Sequence, residues 1–463
     1  MPNFAKNQKG AAALIVSLVL LSLAIIFIPT AAFLTQVKQE LIQNQLKAVH
    51  AYYAAEGAIE DNIYRIKKGM KYSDVNSLDV DGSPATINIT TSGSEKIITV
   101  QSEAAGRHRK VEAVLAIDGV LADFSYGVQA GQGGLNMNQS AKVEGNVYSN
   151  GSIIGFNSAQ ITGDAYAASS SFISGMIIGG NARAYSISIS EVGGNATMAD
   201  LLDDTLVMCN AYAARITKSK ISGNATYITI DQYSYDRVGG QKIATTTAPA
   251  TLPVQPFAIS DAQLDAWENE AQNGGPPITS PCPYEISSSR NLGPVKINCD
   301  LIVSGNSTIL TVNGLIWVKG DITVRISAQI KLAGYFGANS SVIIADDPDN
   351  RLNKGRIQIF QGSQILGSGA TRSYLLAVSR NNSAASGGAV IAIEPRNSSA
   401  SGIFFAPYGS IDLQQSVSLK ELTAYKIIMS NSAIVSYESG LANLLFTSGP
   451  TAGWTLTDWQ EKL

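Results

Sequence analysis

Ile178-Gly179-Gly180-Asn181-Ala182-Arg183-Ala184-Tyr185-Ser186-Ile187-Ser188-Ile189-Ser190-Glu191-Val192-Gly193-Gly194-Asn195 opens and closes on one phrase: an aliphatic residue, a spacer, glycine, then asparagine. The phrase returns as Val143-Glu144-Gly145-Asn146, Ile161-Thr162-Gly163-Asp164 and Ile221-Ser222-Gly223-Asn224. It returns again downstream as Val303-Ser304-Gly305-Asn306 and Val318-Lys319-Gly320-Asp321. Successive glycines stand 18, 17, 14 and 29 residues apart in the first group and 15 apart in the second. Between them, as in Ile187-Ser188-Ile189-Ser190, apolar and small polar residues alternate, the period of a strand with one buried face. Gly-Asn and Gly-Asp tolerate positive φ, so the chain can turn a corner there. A corner every 14–18 residues leaves no room for helix-connected parallel strands. It does suit one coil of a solenoid, in which each coil buries its face on the next.

The expected fold is therefore mainly β: a long N-terminal α-helix followed by a right-handed parallel β-helix. Aliphatic pairs such as Ile153-Ile154, Ile177-Ile178, Val342-Ile343-Ile344 and Ile427-Ile428 would supply the inward ladders. Asn146, Asp164, Asn181 and Asn195 would form a polar ladder at equivalent corners. Seven of the 15 prolines fall between Pro249 and Pro283, which reads as a linker, and Ser260-Asp261-Ala262-Gln263 carries a helix-capping pattern ahead of Leu264, Trp267 and Ala271. The expected organisation is a leader at 1–10, a helix at 11–70, and a small antiparallel β segment at 71–118. A first solenoid part at 119–248, the linker at 249–283, a second part at 284–446 and a tail at 447–463 follow. Strands are expected at 86–91, 97–101 and 110–117, and Trp454 and Trp459 would cover the last rung.

At the other end of the chain, residues 11–37 hold no charge, directly after Lys6, Lys9 and Gly10. A secretory signal has an apolar core of about 7–15 residues, whereas a spanning helix needs about 20. Lys6 and Lys9 place the N-terminus in the cytoplasm and the body outside. The stripe Val37, Leu41, Ala48, Tyr52, Ala55, Ile59, Ile63 and Ile66 carries the helix beyond the membrane, with Gly69 as its stop. Pro29 removes one backbone donor and would kink it.

Composition excludes several function classes. Only 15% of residues are charged and the net charge is −3, so there is no basic field for nucleic acid. His50 and His108 form no metal or triad spacing, and no cofactor or catalytic residue is assigned. Asp346-Asp347-Pro348-Asp349-Asn350 offers oxygen ligands but lacks a calcium-loop spacing, so a solvated turn is the expectation. Asp321, Arg325, Asp346, Arg351, Lys354 and Arg356 are the candidates for a polysaccharide-acting groove, too scattered to assign roles. Outside the membrane a disulfide is permitted, and Cys282 and Cys299 bracket 16 residues, leaving Cys209 over. Closing a loop of that size is worth about 3 kcal/mol.

Lys9-Gly10-Ala11-Ala12-Ala13-Leu14-Ile15-Val16 puts a basic leader ending in glycine immediately before the apolar stretch, where a secretory signal would have its cut site after it. In this layout, residues 6–68 resemble the type IV prepilin family, and the PilX-type and pseudopilin K-type minor components in particular. The resemblance implies cleavage between Gly10 and Ala11 by a prepilin peptidase. It also implies assembly with other pilins or pseudopilins through the helix, at positions such as Ile15, Pro29, Leu41 and Tyr52. Main pilins carry glutamate at the fifth residue after the cut; here that residue is Ile15, a departure that fits a minor subunit. Two functions are expected as alternatives. One is a structural subunit, anchored in the membrane or carried in a surface filament, whose solenoid meets a surface ligand. The other is a membrane-anchored enzyme acting on extracellular polysaccharide.

Overall fold

The computed structural model describes residues 8–67, 72–92, 95–117, 119–122, 124–397, 402–438, 441, 444–447 and 454–462. The chain divides into two compact units, Met1–Ile117 with Trp454–Leu463, and Asp118–Gly453.

The first unit is built on a single helix, Gln8–Lys67, 60 residues and about 90 Å long. It is continuous through Pro29. Each hydroxyl in the apolar half bonds back into the helix: Ser17 to Leu14, Ser22 to Val19, Thr30 to Ile26 and Thr35 to Ala31. None of these hydroxyls therefore needs a partner from outside the helix, as a lipid-facing rod requires. From Ala51 onward one face is buried through Ala51, Ala54, Ala55, Ala58, Ile59 and Ile66. That face packs on a five-stranded antiparallel sheet, ordered Val75–Val80, Ser83–Ser92, Glu95–Ala104, Arg107–Ile117 and Trp454–Lys462. Alternate residues (Ile87, Ile98, Val100, Val111, Ala113, Leu115) point at the helix with essentially no exposure. The expected stop at Gly69 and the leader before Gln8 lie outside the described residues.

The tail does not cover a rung. Trp454–Lys462 pairs antiparallel with Arg107–Ile117, setting Trp459 opposite Ala113 and Trp454 opposite Ile117. Its two tryptophans pack at the margin of the helix–sheet core, which offers aromatic surface a drier place than an exposed end.

The second unit is the parallel solenoid. Its coils carry three short strands, or two where neighbouring strands run together as in Ala196–Asp203, and strands bond to their equivalents in the next coil, as in Lys142–Glu144 to Gln160–Ile161 to Ile177–Ile178 to Glu191–Val192. Of each aliphatic pair only one residue enters the core, because a strand alternates its faces. Ile153, Ile178, Ile343 and Ile427 point inward, while Ile177 is exposed. Val342 and Ile344 point outward into a second core with Trp267, Trp317, Leu376 and Phe405.

Stack order differs from chain order. The strand Glu421–Met429 pairs in parallel with Val128–Met137, with Leu422 opposite Val128 and Met429 opposite Met137. Ile434–Ser436 likewise pairs with Lys142–Glu144. The last coil of the C-terminal part thus seats on the first coil of the N-terminal part, making one continuous stack. The unit's chain enters and leaves at the middle of this stack through an antiparallel ribbon, Gly119–Ala122 with Leu444–Thr447.

Residues 245–283 return along the side from one end of the stack to the other, touching successive coils in reverse order. Thr245 bonds Tyr227, and the Tyr212 hydroxyl donates to the Thr247 carbonyl at 2.7 Å. Further along, Arg183 donates to Ala250, Tyr148 to Pro253 and Gln129 to Pro256. Proline suits this strap because its carbonyl still accepts while its missing N–H asks for no partner. The helix Asp261–Asn273 follows, capped by Ser260 whose side chain accepts from the Gln263 N–H, and it buries Leu264, Trp267 and Ala271.

Candidate functional site

Three features carry chemistry or contact: the bare half of the N-terminal helix, the corner ladder of the solenoid, and a charged cluster under the linker helix.

Along residues 13–46 nearly every large apolar side chain is uncovered: Ile15 is 63% exposed, Phe27 66% and Leu41 55%. The most apolar 18-residue window there has mean hydropathy 2.7 with none of it buried. Length and composition suffice to cross a membrane. Tyr52, expected to serve assembly, is half-buried against the first unit's own sheet and meets Tyr53 edge-on. Gly10 and Ala11 lie on the first turns of the helix.

The corner ladder is built as follows. The Oδ1 atoms of Asn146, Asp164, Asn181, Asn195, Asn210 and Asn224 each accept the backbone N–H of the equivalent residue one coil on, at 2.7–3.1 Å. A Cβ on Gly163, Gly180, Gly194 or Gly223 would fall 2.3–2.7 Å from the ladder oxygen beneath it. The glycine is there for close approach rather than for its φ, since among these only Gly145, at the first coil, has φ in the positive range, +148°. Gly320 belongs to the same kind of corner, Asp300 Oδ1 accepting from Asp321 and Asp321 Oδ1 from Arg356. Gly305 does not: it turns the next corner, between Leu301–Ser304 and Ile309–Val312, with φ +116°. The reading also missed a coil. The 29-residue gap holds a corner at Cys209-Asn210, where cysteine stands in the glycine position; Val207-Met208-Cys209-Asn210 keeps the rest of the phrase. Cys299, before Asp300, takes the same position in the C-terminal part. It is joined to Cys282 by a disulfide, Cα atoms 5.8 Å apart, while Cys209 is an exposed free thiol.

Under the linker helix, Arg380 is buried and bonds Asp265 at 2.6 Å and Glu268 at 3.1 Å, with Asp346 at 3.9 Å. Asp346, wholly buried, holds Arg351 through two bonds of 2.7 and 2.6 Å. Burial, then the neighbouring Asp346 charge, push the Glu268 carboxyl up to about 7. In front lies a cavity of about 400 Å³ lined by Asp261, Arg351, Arg380, Asn382, Ser386 and Tyr408. The first acid of the Asp346–Asn350 run is thus committed to arginines. Among the described residues no cluster of histidine, cysteine, aspartate and glutamate could hold a metal ion. The other groove candidates are spent in pairs as well: Lys354 bridges Asp300 and Asp321 at 2.9 and 3.5 Å, Arg356 meets Glu394 at 3.7 Å, and Arg325 meets Glu285 at 3.9 Å.

No family model and no curated protein matches the chain. Among solved structures it is similar to the competence-associated pilin ComZ from Thermus thermophilus, at 10% identity, covering 90% of this chain and 97% of that one, with a TM-score of 0.29. A superposition that loose carries no functional argument.

Proposed function

We propose that this chain is a minor pilin-like subunit of a type IV pilus or secretion pseudopilus, which enters the assembly by its N-terminal helix and displays the solenoid outside the cell. The observation that carries the reading is the division of one unbroken helix. Its first half leaves apolar side chains bare, and its second half is packed into an antiparallel sheet. A soluble domain does not hold that much contiguous apolar surface open to water. Lipid can cover it before assembly and sister helices afterwards. Lys6 and Lys9 hold the N-terminus in the cytoplasm until a peptidase cuts between Gly10 and Ala11. With Ile15 where main pilins have glutamate, the helix brings no carboxylate to a neighbour's N-terminus, which suits a minor or tip position.

We assign the body a contact role, in adhesion or tip formation, and no catalytic one. Asp346 and Glu268, the buried acids under the linker helix, are tied to Arg351 and Arg380, which supports a role for that pair in holding the fold. N-terminal sequencing of the protein from producing cells tests the assembly reading. It should begin at Ala11; a start at Met1, or one beyond Ala31, contradicts it.

A further inference from the structure

We propose that the basic tip of the first unit's hairpin, Arg107 to Lys110, is a docking surface for anionic phospholipid headgroups, an inference that rests on the membrane anchoring proposed above. The uncharged stretch 11–37 spans about 40 Å as helix, against about 30 Å of hydrocarbon and 40–45 Å with headgroups. Its far end therefore emerges among the headgroups on the body side.

The hairpin joining Glu95–Ala104 to Arg107–Ile117 lies alongside the helix just past that point. A groove of about 570 Å³ is lined by Leu41, Gln45 and Ala48 on the helix and by Gly106, Arg107 and Arg109 on the hairpin. Leu41 is one helical turn beyond Val37, about 6 Å along the axis. Only the groove's near end is thus inside the screening length of about 8 Å at physiological salt, Ala48 lying about 16 Å past Val37.

Local pairing does not consume the charge. Arg109 meets Glu461 at 3.3 Å, Lys462 meets Glu112 at 3.2 Å, and His108 meets Glu103 at 3.8 Å. Arg107 and Lys110 are exposed and have no ion pair among the described residues. Leu41, Ile42 and Leu46, each more than half exposed, add apolar contact at the same level. Two unpaired cations, Arg107 in the groove beside exposed aliphatic surface and Lys110 three residues further along the strand, suit a lipid phosphate better than a soluble acidic partner. Such contact would fix the tilt of the first unit on the membrane before assembly.

The test uses the full chain in nanodiscs of phosphatidylcholine alone, and of phosphatidylcholine with phosphatidylglycerol, reading hydrogen exchange at amides 105–108. Exchange should slow only in the anionic discs, return to the neutral-disc rate in high salt, and return likewise in Arg107→Gln/Lys110→Gln. A basic residue near an anionic surface contributes about fivefold in association, so the double variant should lower the docking equilibrium constant roughly 30-fold. Equal exchange in both disc types, with the helix protected from protease, overturns this proposal alone. A helix that does not enter the discs overturns the anchoring reading and this proposal with it.

Discussion

At the scale of single residues, the solenoid depends on one oxygen per corner and, at most corners, on one missing methyl group. Each Oδ1 satisfies a backbone N–H that the turn would otherwise leave without a partner, an exchange worth about 1 kcal/mol per bond and more if broken in a buried site. The adjoining glycine lets the next coil come close enough to make it. In Gly180→Ala the new Cβ would sit 2.4 Å from Asp164 Oδ1 and 2.8 Å from the Gly163 backbone, and backbone cannot swing aside. We expect a loss of about 1–3 kcal/mol in urea unfolding. Gly57→Ala in the helix meets nothing within 4 Å and should be neutral or stabilising by up to about 1 kcal/mol. Equal effects would mean that corner contact is not what selects glycine. The phrase was legible because glycine and Asn/Asp are needed together. It misled at Gly305, where the same letters serve another corner, and it went unseen at Cys209, where a cysteine fits the position. Sequence spells residues, whereas the ladder selects only an oxygen and a close approach.

At the scale of elements, the linker helix is held by charge as well as by apolar burial. Glu268 titrates near 7 in the fold, because burial and then Asp346 disfavour its charge against the pull of Arg380. Its unfolded value is about 4.3. The folded state therefore binds the proton more tightly; this contribution is fully present below about pH 4 and is lost as pH rises through 7. Asp265, Arg351 and Lys296 complete the charged surroundings. Between pH 5 and pH 8 the wild type should lose stability relative to Glu268→Gln, by about 1–3 kcal/mol, read from urea midpoints. A pH-independent difference would remove the explanation. The helix itself was legible from its Ser260 cap and the spacing of Leu264, Trp267 and Ala271. Its partners were not, because Trp317, Ile344 and Phe405 lie on strands that alternate in both directions, and only the fold says that their outer face is covered. Trp454–Lys462 escaped for a similar reason: an edge strand records its own alternation but not its neighbour.

At the scale of the whole molecule, stacking order departs from chain order within the second unit. Coils of one pitch fit end to end whatever the connectivity, so nothing local records that 421–436 precedes 128–144. The proline-rich stretch 249–283 marked the place where the chain leaves the stack, and the 39 residues 245–283 are what a return along the side requires. What was legible at this scale is the contrast between a bare apolar rod and a large β body, and the proposed function depends on that contrast. The most direct test is immunogold labelling of filaments sheared from producing cells, with antibodies raised against the solenoid. We expect gold on the filaments, sparse and concentrated at ends as for a minor subunit, and none on filaments from a strain lacking the gene. Filaments without label, with all of the solenoid signal left in the membrane fraction, would contradict the account.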